Sequence, residues 1–213
     1  MKTNDLITLL STNVEPVGGG QAARAVSAAV LGGAAAAFIA MFFALGVRPN
    51  LEAPGALTHL TLKLVFTLQI VLLTSLCLVR VARPGGEHTT PIALAALPFL
   101  VVMILAALSL GFTSRPHWEN AIVGDQWLEC LLSIPIIAIV PFVAVIWAVR
   151  RMAPTDLTRT GALAGLVAGG ISAAAYALHC TDDSLPFVAL WYGGTIALCT
   201  LAGAKLGPRL LRW

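Results

Sequence analysis

Six apolar blocks, each of about 17 to 22 residues and so long enough to cross a hydrocarbon layer as a helix, alternate with short polar segments along the chain. They fall at roughly 25–46, 61–82, 91–112, 130–149, 161–178 and 186–205. Runs such as "LVFTLQIVLLTSLCLV" are apolar on every face, whereas a strand of a membrane barrel would alternate apolar and polar positions. A backbone exposed to lipid must satisfy its own hydrogen bonds, which selects helices. The pattern therefore predicts an all-α integral membrane protein: a six-transmembrane-helix bundle over residues 25–213, preceded by a tail over residues 1–24.

Composition sharpens this picture. The 213 residues are 58 % apolar and only 11 % charged, against about a quarter charged in a typical soluble domain. The polar start of the tail lacks the short basic opening of a secretory signal peptide, so the first block reads as a retained span. The distribution of cations then orients the spans. With a cytoplasmic N-terminus, Lys2, Arg24, Arg80, Arg83, Arg150, Arg151, Arg159, Lys205, Arg209 and Arg212 fall inside, and only Arg48, Lys63 and Arg115 fall outside. Both termini are thus expected in the cytoplasm, as in a multi-pass protein of a bacterial inner membrane. The net charge of +3 is spread over span ends and forms no patch for direct contact with nucleic acid.

This orientation sorts the cysteines. Cys77 and Cys199 lie within spans among apolar neighbours and read as small buried hydrophobes. Cys130 opens the fourth span and Cys180 closes the fifth, which places both at the outer surface. There they could form a structural disulfide, a redox-switching pair or a soft-metal site. His179, Glu129, Asp182 and Asp183 are the candidate accessory ligands, and Cu, Cd or Zn the candidate ions; no cofactor is required. The carboxylates would oppose thiolate formation by like-charge repulsion.

Elsewhere the spans carry few polar groups. Gln69 stands near mid-depth, while Lys63 and Arg80 are read as snorkelling at span ends. No C-x-x-C, H-E-x-x-H, G-x-S-x-G or Walker-type loop is present, which leaves little footing for catalysis. Gly161, Gly165 and Gly169 form two overlapping G-x-x-x-G steps on one face, a pattern for close packing of helices. Trp127, Trp147, Trp191 and Trp213 read as interfacial anchors. In the tail, "MKTNDLITLL" predicts a short amphipathic helix capped at Thr3 or Asn4. Its apolar face is Leu6, Ile7, Leu9 and Leu10, it ends before Pro16, and "VGGGQ" joins it to the bundle. So short a helix needs a surface to lie on, either the bilayer or a groove of a cytoplasmic partner.

The "MKTNDLITLL" start, the Pro16-Val17 step, the "W-L-x-C" that opens the fourth span and the segment "HCTDDSLPFVALWYGG" together resemble the NrsF family of proteobacterial membrane anti-sigma factors. The resemblance implies that the chain is no enzyme. It implies an anti-sigma factor that sequesters an extracytoplasmic-function (ECF) sigma factor in the cytoplasm through its tail. An outer pair, carried over to Cys130 and Cys180, would sense oxidative or heavy-metal stress and trigger release. The alternatives from the residues are a membrane thiol redox enzyme and a metal transporter using the same cysteines.

Overall fold

The computed structural model describes Thr3 and residues 20–49, 54–83 and 92–212. Among these residues every regular element is helical. The long helices are α1 (Gln21–Ala44), α2 (Ala56–Val81), α3 (Leu97–Phe112, entered through a 3-10 segment at Ile92–Ala96), α5 (Trp127–Arg150), α6 (Leu157–Tyr176) and α7 (Leu185–Leu210). A short α4 (Trp118–Val123) precedes α5 and was not anticipated. The six expected spans fall on the six long helices, with ends that differ by up to six residues. The expected docking face of the tail, Leu6, Ile7, Leu9 and Leu10, lies outside the described residues.

Five of the helices are long and apolar enough to cross a membrane. Their outward faces carry exposed Leu31, Phe43, Leu72, Leu100, Ile136 and Leu201, a surface that a protein in water would have to cover. The remaining long helix, α6, is built from small residues and occupies the centre. From Thr160 to Tyr176 every residue except Ala162 is buried. A helix walled in by other helices needs close approach more than hydropathy. Its main neighbour is α7, with α5, α2 and α1 around the rest of its circumference.

The contact between α6 and α7 is a two-sided glycine seam. A Cβ on Gly161 would lie 2.6 Å from the Cα of Gly207, one on Gly165 would overlap the Cys199 carbonyl oxygen, and one on Gly169 would come within 3.0 Å of the Cys199 Cβ. Gly203 faces Gly161 and Gly165 from the other helix. Backbones this close leave no room for a methyl group on either side.

Residues 45–49 and 54–55 and the connections 113–126 and 177–184 meet at one end of the bundle, where Arg48 N–H donates to the Leu178 carbonyl and Thr181 N–H to the Gln126 side chain. At the opposite end, Val26 of α1, Val81 of α2, Val149 of α5 and Leu211 share one buried cluster. That end also carries most of the arginines, and Arg151 stacks on Trp147 at 3.7 Å from the ring centroid.

Candidate functional site

The segment "HCTDDS" is where the first of these ends is tied together. Helix α6 stops at Tyr176, whose carbonyl accepts from both His179 N–H (2.9 Å) and Cys180 N–H (3.1 Å). Beyond it, Thr181 to Ser184 run without regular structure until Ser184 caps α7, its hydroxyl oxygen accepting from Phe187 N–H, with Pro186 in the first turn where no amide donor is needed.

Asp182 holds the turn that leads into α5: one carboxylate oxygen accepts from Asp125 N–H (2.9 Å) and Gln126 N–H (2.7 Å), which sets a negative charge near the positive end of that helix. Gln126 answers by accepting from Thr181 N–H. Gly124 makes this approach feasible. It has φ +61°, and a Cβ there would lie 2.7 Å from both the Asp182 carboxylate and the Phe187 ring. The Ser184 hydroxyl donates to the Ala121 carbonyl, and the Trp191 indole donates to that of Ile122. Trp191 is therefore a bond between α7 and α4, and it also packs on Trp127.

Asp183 holds the charged core of the site. Its carboxylate takes Arg48 at 2.9 and 3.0 Å and Lys63 Nζ at 2.7 Å. The same two cations donate to the Cys180 carbonyl, Arg48 at 3.1 Å and Lys63 at 3.2 Å, and Arg48 also donates to the Ala56 carbonyl at the start of α2. Arg48 is only 4 % exposed and Lys63 1 %. The snorkelling assigned to Lys63 is thus corrected: α2 begins five residues before the expected boundary, so Lys63 lies two turns inside the helix, facing the bundle instead of water. Burial of Asp183 opposes its ionisation, but the bonds from Arg48 and Lys63 outweigh that and hold the carboxyl below the usual carboxylate range.

Cys130 and Cys180 carry free thiols and are both 0 % exposed. They belong to one buried cluster with Tyr176, Phe187 and Tyr192 and stand within electrostatic reach of each other. The surface placement expected for them is corrected; the loops and α7 cover them. Burial pushes the Cys180 thiol up, with the nearby Lys63 charge pulling the other way, so the thiol is neutral near neutral pH. Beside the pair, the Tyr192 hydroxyl lies against the Cys180 thiol, and the Tyr176 hydroxyl is buried without a hydrogen-bond partner among the described residues. A π-helical stretch, Val188–Tyr192, brings Tyr192 into this cluster, and such local bulges recur at functional sites.

The four accessory groups are occupied otherwise. His179 Nδ1 is 3.1 Å from the Gly46 carbonyl and its Nε2 is 3.9 Å from Glu129; Asp182 holds the turn before α5 and Asp183 is an ion-pair partner. Among the described residues no three His, Cys, Asp or Glu side chains converge as a metal-ligand set. The donors present therefore do not fit a multi-ligand soft-metal centre in this arrangement. Arg48 and Lys63 were not singled out from sequence as site residues. The available signal was that an ionisable residue within an apolar span is a functional candidate by default.

Fold and site together define, among the described residues, an all-helical bundle with helices long and apolar enough to cross a membrane, whose polar chemistry is gathered into a buried knot at one end, with two thiols inside it. The family model described as "NrsF: Negative regulator of sigma F" matches residues 10–213. The chain belongs to this family. It is 32 % identical over 213 residues to the "Probable anti-sigma-F factor NrsF" of Azospira oryzae and 31 % identical over 220 residues to the "Anti-sigma-F factor NrsF" of Caulobacter vibrioides, in each case across the full length of both chains. No solved structure matches.

Proposed function

We propose that this protein is an anti-sigma factor of the cytoplasmic membrane that holds an ECF sigma factor of the sigma-F type through its N-terminal segment and releases it when the Cys130–Cys180 pair is oxidised. The observation that carries the reading is full-length membership of a family of negative regulators of sigma F. The apolar perimeter supports the membrane setting. Two free thiols in one buried cluster support a chemical receiver.

The chemistry is limited by burial. Forming one S–S bond removes two electrons and two protons from the thiols, which a peroxide accepts on becoming two molecules of water. A neutral, covered thiol attacks slowly, so oxidation waits on opening of the 177–184 segment or on entry of a small uncharged oxidant. With both thiols reduced the bundle has one arrangement, and the disulfide, by fixing the two Cα atoms at about 4.4 to 6.8 Å, favours another in which α5 and α6 are displaced. A full swing between the two requires about 5.5 kcal/mol of bias.

The test is co-purification of the cognate sigma-F-type factor with the full-length protein, beside a version lacking residues 2–17 and a Leu6→Asp/Leu10→Asp variant. Capture by the full chain and loss in the other two is expected. No capture by the full chain refutes the anti-sigma assignment, and undiminished capture by the truncation refutes the docking role of the tail. Cys130→Ser and Cys180→Ser should hold the factor after peroxide treatment; release in both would remove the cysteines from the signal.

A further inference from the structure

The signal has to travel from the cysteine end of the bundle to the tail, which precedes α1 in the sequence. The Cys180 carbonyl is gripped by two buried cations from other elements. One is Arg48, four residues past the last residue of α1, and the other is Lys63 of α2. Asp183, three residues on, is ion-paired to both. Two further bonds bind the same strands: Arg48 N–H to the Leu178 carbonyl at 3.0 Å, and the His179 ring to the Gly46 carbonyl. Between Arg48 and α1 there is little slack, because Leu45 N–H and Gly46 N–H both return to the Met41 carbonyl.

We propose that Arg48 and Lys63 act as positioning residues, a clamp that reads the placement of the Cys180 peptide and passes it to α1 and α2, and that the closed clamp is the state that retains the sigma factor. The proposal deepens the thiol-signal reading above and rests on it. In this proposal closure of the disulfide draws the Cys180 backbone toward Cys130, and its carbonyl, which accepts from both cations, moves away from them. Once that happens, the α1–α2 connection is no longer held against the α6–α7 connection, and α1 is free to shift with the tail attached to it. This route runs through the first two helices, in addition to α5 and α6, which carry or adjoin the cysteines themselves.

The experiment uses full-length protein in micelles with its sigma-F-type factor bound, and diamide as the oxidant. Diamide takes two electrons and two protons from the thiol pair to become a hydrazine while one S–S bond forms. Amide hydrogen exchange at Arg48 is followed before and after treatment, and Lys63→Met and Lys63→Arg variants are assayed for bound factor and for thiol state. Faster exchange at Arg48 in the wild type on oxidation is expected. So is about a tenfold larger free fraction of the factor in untreated Lys63→Met, with its cysteines still reduced and wild-type behaviour in Lys63→Arg. Release by diamide with unchanged exchange at Arg48 overturns the clamp while leaving the thiol signal intact. Retention and release in a folded Lys63→Met identical to wild type does the same. If diamide releases nothing from the wild type, the thiol-signal reading falls and the clamp with it.

Discussion

One carboxylate serves two buried cations at this site, and that asymmetry makes a quantitative prediction. Asp183→Asn leaves Arg48 and Lys63, at 4 % and 1 % exposure, without a counter-charge among the described residues, so the cost should reach the 3–5 kcal/mol seen when one partner of a buried pair is removed. Lys63→Met is milder. Asp183 keeps both Arg48 bonds at 2.9 and 3.0 Å, and the Cys180 carbonyl keeps Arg48 at 3.1 Å. What is lost is two charge-assisted bonds, to Asp183 and to the Cys180 carbonyl, each of about 1.5–3 kcal/mol, partly offset by about 1.5–3 kcal/mol from burial of the methionine side chain. A net cost of about 1.5–3 kcal/mol follows from those magnitudes. In the Asp183→Asn background the same substitution removes an orphaned cation, so its effect should fall to zero or become stabilising. Equilibrium unfolding of the four proteins of this cycle in mixed micelles, by titration with sodium dodecyl sulfate, measures the coupling directly. Additive effects, or a larger loss from Lys63→Met than from Asp183→Asn, would refute the shared-carboxylate account.

Three further outcomes are expected. Because the folded Asp183 carboxyl titrates below its unfolded value of about 3.9, its contribution is complete above that pH and is lost as pH falls through the lower, folded value. Resistance to unfolding should therefore drop on acidification below about pH 4, with a shallower drop in Asp183→Asn; equal slopes would contradict the ion pairing. Gly165→Ala meets backbone of the facing helix and should destabilise by about 1–3 kcal/mol, whereas Gly194→Ala, with no atom within 4 Å of its added Cβ, should be neutral or stabilising by up to about 1 kcal/mol. The same unfolding titration compares their signs, and equal signs would dissolve the glycine seam. Cys130 and Cys180, at 0 % exposure, should react with a maleimide about tenfold or more slowly in the folded protein than after unfolding, read by mass spectrometry; comparable rates would show that the pair is not covered.

The six blocks were legible along the chain because the hydrophobicity of a span is a local quantity, summed over neighbours in sequence. The same holds for the G-x-x-x-G spacing, which shows on one helix alone; the capping residues Asp156 and Ser184, whose side chains accept from Arg159 N–H and Phe187 N–H within their own first turns, are just as local but were not singled out from the sequence. Yet Gly203 and Gly207 repeat that spacing in the last helix, and only the packing reveals that the two motifs face each other. Lys63 was misjudged for a related reason. A shift of five residues in the start of α2 turns a cation at the interface into one inside the bundle.

What the sequence by itself determined is therefore the helical class, the positions of the long helices, the charge asymmetry between their ends and the family. These depend on composition within windows of a few turns, which no rearrangement of the bundle can change. Tertiary structure alone decided that α6 lies at the centre, that the two thiols are buried, and that Arg48, Lys63 and Asp183 meet over the Cys180 carbonyl. Those facts depend on which helix ends come together. Between Arg48 and Asp183, 135 residues apart, only the packing of the helices that separate them brings the charges within bonding distance.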